Sequence, residues 1–287
     1  MVPKVDFAAL PNETLNSQFM PRIAVPDHES WLADDFSSSA AVRARVPGRL
    51  NVPYGPGPRQ VMDIFPAARP DAPILIWFHG GYWRALSKDY YTSIAPPLLA
   101  AGAAVVLVDY DLCPQVTLTA LLDETRAALR WVRDHAAEMR GDPDRLILAG
   151  NSAGAHICAM ALQFDWSHEN WPVDPIRAAA LITGIYDLGP VPLLPVQQEV
   201  QLAPGDVARL SPMSLPLRSR ARCLVAVGGD EPDLWIAQSQ DYHTKLTAAA
   251  IASQLMVVPS RHHFSITRDL ADATATLTRA LIDLLQS

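Results

Sequence analysis

Residues 145–160, RLILAGNSAGAHICAM, decide how the chain folds. The run RLILAG (145–150) is short and continuously apolar, the pattern of a parallel strand covered on both faces. The stretch that follows Gly154 reads as a helix. Between the two, Gly150-Asn151-Ser152-Ala153-Gly154 has the form G-x-S-x-G. By residue frequencies, roughly one chain in ten of this size carries that pattern by chance, so the spacing alone decides little. Its placement decides more. A sharp strand-to-helix turn needs small residues on both sides of the serine, and it holds the hydroxyl above the sheet at a helix N-terminus. Ser152 is then either a nucleophile or a small residue in an ordinary Gly-rich turn.

The same rhythm repeats outward from this turn. Apolar runs at 61–65, 74–78, 104–110, 145–150, 178–184, 223–229 and 254–259 read as strands. Helical patterns at 89–101, 117–139, 153–163, 233–250 and 268–286 lie between or after them. Strand and helix in alternation give a doubly wound α/β sheet, expected as one domain over 1–287. Two regions stand outside the rhythm. Residues 1–48 form a mixed aromatic and helical arm, expected near the face where ligands bind, and 187–215 read as a small cap-like insertion after strand six.

Composition narrows the function classes. Lys plus Arg number 23 against 30 Asp plus Glu, with no basic run, which argues against a nucleic-acid partner. No apolar run is long enough to span a membrane and no secretory signal is read at the N-terminus, so the expectation is a cytoplasmic protein. Cys113, Cys158 and Cys223 are widely spaced and suggest neither a disulfide framework nor a zinc site; all three are expected reduced, mostly buried.

A serine hydroxyl needs a base, and the base needs an acid to fix its tautomer. In a sheet of this kind the order along the chain is serine, acid, histidine, each at the C-terminal end of a strand. Asp230, Glu231 and Asp233 follow one apolar run, and His262 and His263 follow the next. Of the eight histidines, His28, His135 and His168 lie in polar stretches and read as solvated. His243 reads as a partly exposed helix residue, His156 as a packing residue one turn after Ser152, and His79 as a structural member of its own turn. No spacing typical of metal ligands is present. FHGGYWRALSKDY (78–90) follows another apolar run, and its glycines let the main chain approach a substrate closely. The N–H groups of Gly81, Tyr82 and Ala153 are therefore candidate oxyanion donors.

With HGGYW (79–83), GNSAG (150–154) and HHF (262–264) in view, the chain resembles the α/β-hydrolase superfamily. Within it, the chain is similar to the serine-dependent kynurenine formamidase (arylformamidase) and carboxylesterase group. EPDLWIAQS (231–239), YGPGPRQVMDIFPA (54–67), GIYDL (184–188) and LSPM (210–213) look like further segments of that group, so the resemblance runs from about residue 20 onward. It implies a mostly parallel sheet of about eight strands with helices on both faces. It also implies Ser152 as nucleophile, His263 as base and Glu231 as acid, with Asp230 selected instead by a slip of one residue. Tyr82 and Trp83, with Phe19 or Trp31 from the arm, would form a flat pocket for an aromatic small molecule that Trp235 also borders, although core packing is the competing reading for Trp83 and Trp31. No cofactor is implied, and a homodimer is the default expectation. The chain departs from the group at QFMPR (18–22) and at Leu234-Trp235, positions expected to border the acyl pocket. The implied activity is hydrolysis of a small aryl amide or formamide. A carboxylesterase of short acyl esters is the alternative, and a non-catalytic binder on the same scaffold is the alternative of another class.

Overall fold

The computed structural model describes residues 5–167, 171 and 174–286, and His168 lies outside them. Eight strands are built from the apolar runs: β1 (Arg49–Pro53), β2 (Val61–Phe65), β3 (Ala72–Phe78), β4 (Ala104–Val108), β5 (Gly141–Asn151), β6 (Ile176–Ile182), β7 (Arg222–Gly228) and β8 (Ser253–Val258). They form one sheet in the order β1-β2-β4-β3-β5-β6-β7-β8. β2 pairs antiparallel with β1 and β4, and all other pairs are parallel. β3 and β4 are buried along their whole length, as continuous apolar runs require.

The pleat divides the core in two. Ile74, Ile76 and Phe78 face one layer with Leu121, Leu129 and Ile157, whereas Leu75 and Trp77 face the other with Leu277 and Leu281. The helix Leu118–Asp134 carries its apolar residues on one stripe, and Thr117 caps its N-terminus by accepting the Ala120 N–H. Cys113, Cys158 and Cys223 are free and buried. Among the described residues no helix is long and apolar enough to cross a membrane.

Several elements differ from the sequence expectation. β1 is an edge strand with mostly exposed residues, so it carries no apolar run to betray it. The helix expected at 89–101 is only Ala95–Ala100, preceded by two single turns, because Pro96 and Pro97 are tolerated only in a first turn. The segment 268–286 is divided into a tight turn, Ile266–Ala271, and the helix Thr276–Leu285.

The arm folds as the helices Asn12–Phe19, Pro21–Ala24 and His28–Arg43. Leu15 and Phe19 are buried, Gln18 accepts the Leu234 N–H at 2.8 Å, and Tyr82 donates its hydroxyl to the Phe19 carbonyl at 3.2 Å. At the far end, Arg43 pairs with Asp89 and, at 3.0 Å, with the buried Asp63. Buried Lys88 reaches the same two carboxylates at 3.2 and 3.1 Å, so two cations meet two anions and none of the buried charges is left alone. His28 is not simply solvated, as it stacks on Phe264 with 5.7 Å between ring centroids; His135 likewise stacks on Trp131 at 4.0 Å. The insertion at 187–215 packs beside the β3 loop: Glu199 accepts from Arg84 at 2.8 Å, and the Leu210 carbonyl accepts from His156 Nε2 at 2.8 Å.

Candidate active site

Ser152 sits between β5 and the fully buried helix Ala153–Ala161, with φ 54° and ψ −118°. A non-glycine residue rarely holds that backbone, and its amide is fixed by donating to the Ile182 carbonyl at 2.9 Å. The flanking glycines are required for space. A Cβ on Gly154 would stand 1.9 Å from the Phe78 carbonyl oxygen, and one on Gly150 would stand 2.6 Å from the Gly154 carbonyl carbon. Ala153 is the first residue of the helix, so its amide has no intrahelical acceptor.

The loop after β3 is held equally tightly. Gly81 has φ +121°, and a Cβ there would lie 2.0 Å from the Ala85 carbonyl oxygen. Tyr82 and Trp83 follow with φ 54° and 59°. The Gly81 carbonyl is occupied by the amides of Arg84 and Ala85 at 3.1 and 3.0 Å, while the amides of Gly81 and Tyr82 donate to no backbone acceptor among the described residues. His79 anchors the start of this loop. Its Nε2 lies 3.0 Å from Asp109, and its ring stacks on Tyr110 at 4.1 Å. Burial works against the Asp109 charge, but the hydrogen bond and charge of His79, with Arg59 and the Lys88 N–H, outweigh it and lower its pKa.

At the ends of β7 and β8, His263 Nδ1 lies 2.7 Å from Glu231 Oε2. Glu231 also accepts the Gly228 N–H at 3.0 Å and the Thr183 hydroxyl at 2.6 Å, so its carboxylate is buried with its acceptor capacity used. Gly228 permits this closeness, since a Cβ there would meet the Arg261 carbonyl oxygen at 2.1 Å. Asp230 is exposed and its amide is turned to the Arg261 carbonyl, so Glu231 rather than Asp230 reaches the imidazole. Thr183, which sequence reasoning missed, completes the cluster. Its Oγ1 lies 3.0 Å from His263 Nδ1 and accepts the Trp235 indole N–H at 3.0 Å. No periodicity marks it; its signal is structural, a β-branched residue with φ 45° one step beyond β6.

Ser152 and His263 line one cleft of about 640 Å3, open solvent included, together with Asn151 at the end of β5, Gly81 and Tyr82 from the loop after β3, and Tyr91 further along the same connection. Phe264 and Thr267 close one side, and Met20, Pro21, Arg22, Leu32 and Asp35 come from the arm. The insertion contributes none of the lining, so the cover over the cleft is the arm and not the segment expected to be cap-like. Tyr91 is held protonated: burial pushes its pKa up to about 12, with a hydrogen bond from Asn151 working the other way.

Of the aromatics expected in the pocket Tyr82 lines this cleft, whereas Phe19, Trp83 and Trp235 do not. Phe19 is fully buried against Phe7 and Trp235, because the arm turns it inward while Met20 and Arg22 face the opening. Trp83 is fully buried and donates its indole N–H to His156 Nδ1 at 3.2 Å. Trp235 packs edge-on beneath His263 at 4.9 Å, bordering only a smaller cavity behind the Glu231–His263 pair. His156 is a wedge between Trp83 and Leu210, and burial lowers its pKa to about 4, although the Leu210 carbonyl works the other way.

Comparison with known proteins supplies the family and the fold. A family profile described as alpha/beta hydrolase fold matches residues 75–266, and the chain belongs to that family. It is similar to kynurenine formamidase of Danio rerio, 32% identical over 281 residues that cover 94% of this chain and 93% of the relative. It is similar over a shorter stretch to carboxylesterase NlhH of Mycobacterium tuberculosis, 41% identical over 99 residues, 34% of this chain and 31% of the relative. Esterase B from Lactobacillus rhamnosis shares the fold at 20% identity and a TM-score of 0.70, over 92% of this chain and 96% of that one.

Proposed function

We propose that the chain is a serine hydrolase of small aryl amides, formamides and related esters, working through an acyl-enzyme. The observation that carries this reading is the alignment of three strand ends on one cleft: strained Ser152, His263 held by Glu231, and amides free to bind an oxyanion. His263 takes the Ser152 proton as Oγ bonds to the substrate carbonyl carbon. The oxygen that becomes negative is bound by the amides of Gly81, Tyr82 and Ala153, each worth about 2.7–4 kcal/mol in the transition state. The bond to the leaving nitrogen or oxygen breaks as His263 returns the proton to it. A water then gives its proton to His263 and attacks the acyl carbon, and Ser152 Oγ leaves with that proton. The sum is substrate plus water giving an amine or alcohol and a carboxylic acid, with no cofactor. Glu231 keeps the proton-bearing nitrogen of His263 facing away from Ser152 and stabilises the imidazolium that forms.

The formamidase relative, which spans almost the whole chain, favours the amide. The carboxylesterase relative keeps short acyl esters as the second reading. Labelling by an organophosphonate tests the chemistry: mass added at Ser152 and absent in Ser152→Ala supports it, while folded protein that takes no label defeats it and leaves a binder. Ser152→Ala is expected to lower kcat by about 10⁴-fold or more. Steady-state rates on an aryl formamide and on p-nitrophenyl esters of increasing acyl length then separate the two readings.

A further inference from the structure

His263, the base of the proposed mechanism, opens a short turn, residues 263–265, that runs into Ile266–Ala271, and His262 stands directly before it. His262 Nδ1 accepts the N–H groups of both Phe264 and Ser265 at 3.3 Å. The reverse bond is made as well, because the His262 N–H donates to Ser265 Oγ at 2.9 Å. The His262 carbonyl takes the amides of Ser265 and Ile266 at 3.1 Å each. Side chain and main chain close on each other as in a capping box, with a histidine in the place usually held by serine, threonine or aspartate. His263 lies inside this ring of bonds, between the cap and the first amide it holds.

An amide N–H only donates, so Nδ1 must keep its lone pair, and the ring proton of neutral His262 belongs on Nε2. A second proton would set an N–H against two others and release both amides. The charged groups acting on this ring come from three sides: Asp27 from the arm, Asp230 and Glu231 from the loop after β7, and His263 beside it. Burial lowers the His262 pKa below its ordinary 6.5, and His263 adds to this, while the three carboxylates oppose it. The arm also braces the ring. Trp31 meets it nearly perpendicular, at 88° and 4.7 Å, and is itself held by its indole bond to Asp27 at 3.0 Å and by Arg268 over its face at 4.1 Å.

Resting on the hydrolase reading, we propose that His262 is a positioning residue: its bare Nδ1 caps the turn that carries His263 and so sets where that base stands against Ser152. It touches no reacting atom. Its protonation frees the turn, so activity falls on the acid side through two protonations, one on His263 and one on His262.

Three forms of the full chain test this: the native chain, His262→Phe, which keeps a ring against Trp31 but no acceptor, and His262→Asn, whose side-chain oxygen is a good cap that does not titrate. With p-nitrophenyl acetate the expected result is a fall in kcat of about 10-fold in His262→Phe with KM little changed, most of it regained in His262→Asn. As pH is lowered, the slope of log kcat/KM for the native chain should steepen from about one to about two, in protein still folded by circular dichroism, and should stay near one in His262→Asn. Equal losses in the two variants, or no loss in His262→Phe, overturn the proposal, as does a native slope no steeper than that of His262→Asn. Hydrogen exchange at the Phe264 and Ser265 amides reads the cap without turnover: it should be about 10-fold faster in His262→Phe and near native in His262→Asn. If exchange follows that order in a chain that cleaves nothing, the cap stands and the hydrolase reading falls. Equal exchange in all three forms overturns the cap.

Discussion

The floor of the cleft and its roof are built by different means. The floor is main chain: neighbouring backbone crowds Gly81 after β3 and Gly228 at the end of β7, and Ser152 after β5 and Thr183 after β6 hold positive φ. The roof is side chain, from an arm tied down by Gln18 to Leu234, by Phe19 beneath Tyr82, and by Arg268 to Asp35 and the Trp31 carbonyl at 2.8 and 2.9 Å. A floor of this kind fixes reacting atoms to fractions of an ångström, which chemistry requires. A roof of this kind can change residue by residue without disturbing the sheet. Rate should therefore reside in the floor and selectivity in the roof.

The sharpest way to break that division is at Glu231, the acid of the proposed mechanism. Glu231→Gln should lower kcat by about 10³–10⁴-fold, whereas Asp230→Asn, one residue away and exposed, should change it by less than about 3-fold. The reverse ranking in steady-state assays would move the acid by one position. Thr183→Val removes the hydroxyl shared by Glu231, His263 and Trp235 while keeping the side-chain shape. It should lower kcat about 10-fold with KM little changed, and an effect on KM alone would place Thr183 with the roof.

Phe19→Ala tests the roof. Loss of a fully buried ring should cost about 3 kcal/mol in denaturant unfolding and raise KM more than it lowers kcat. An equal loss of kcat would show that the arm also positions reacting groups.

The smallest effect concerns His156, behind the floor. Its Nδ1 accepts from Trp83, so a proton added there would face another N–H. The folded pKa lies near 4, below the ordinary value of 6.5, so the unfolded chain binds the proton more readily. Its contribution is fully present above 6.5 and is lost as pH falls towards about 4, a change of up to about 3 kcal/mol. Thermal melts across that range should show a shallower decline in His156→Gln, and parallel curves would remove His156 as the cause.

The floor was largely legible in the sequence because its constraints are local. Gly150 and Gly154 announce the turn around Ser152, and continuous apolar runs announce the buried strands on either side. His263 and Glu231 follow such runs directly. β1 was not legible because an exposed edge strand needs no apolar pattern. Thr183 was missed because its left-handed backbone leaves no mark in residue type, and nothing near it in sequence shows that Glu231 and Trp235 converge there. The inward turn of Phe19 is likewise decided by contacts with Trp235, more than two hundred positions away. Aromatic character indicated burial or binding, and only tertiary packing chose between them.

The ties of the arm reach across almost the whole chain. Gln18 and Leu234 are 216 positions apart, and Asp35 and Arg268 are 233 apart. Contacts of that sequence separation form late, whereas Arg43 to Asp63 and Asp89 and Tyr82 to the Phe19 carbonyl tie the same arm at shorter range. During synthesis the arm emerges first, yet its seat is finished only when Arg268 has left the ribosome. A product cut short before Arg268 would keep the Arg43 end of the arm docked on Asp63 and Asp89 while the Asp35 tie that completes the roof is missing.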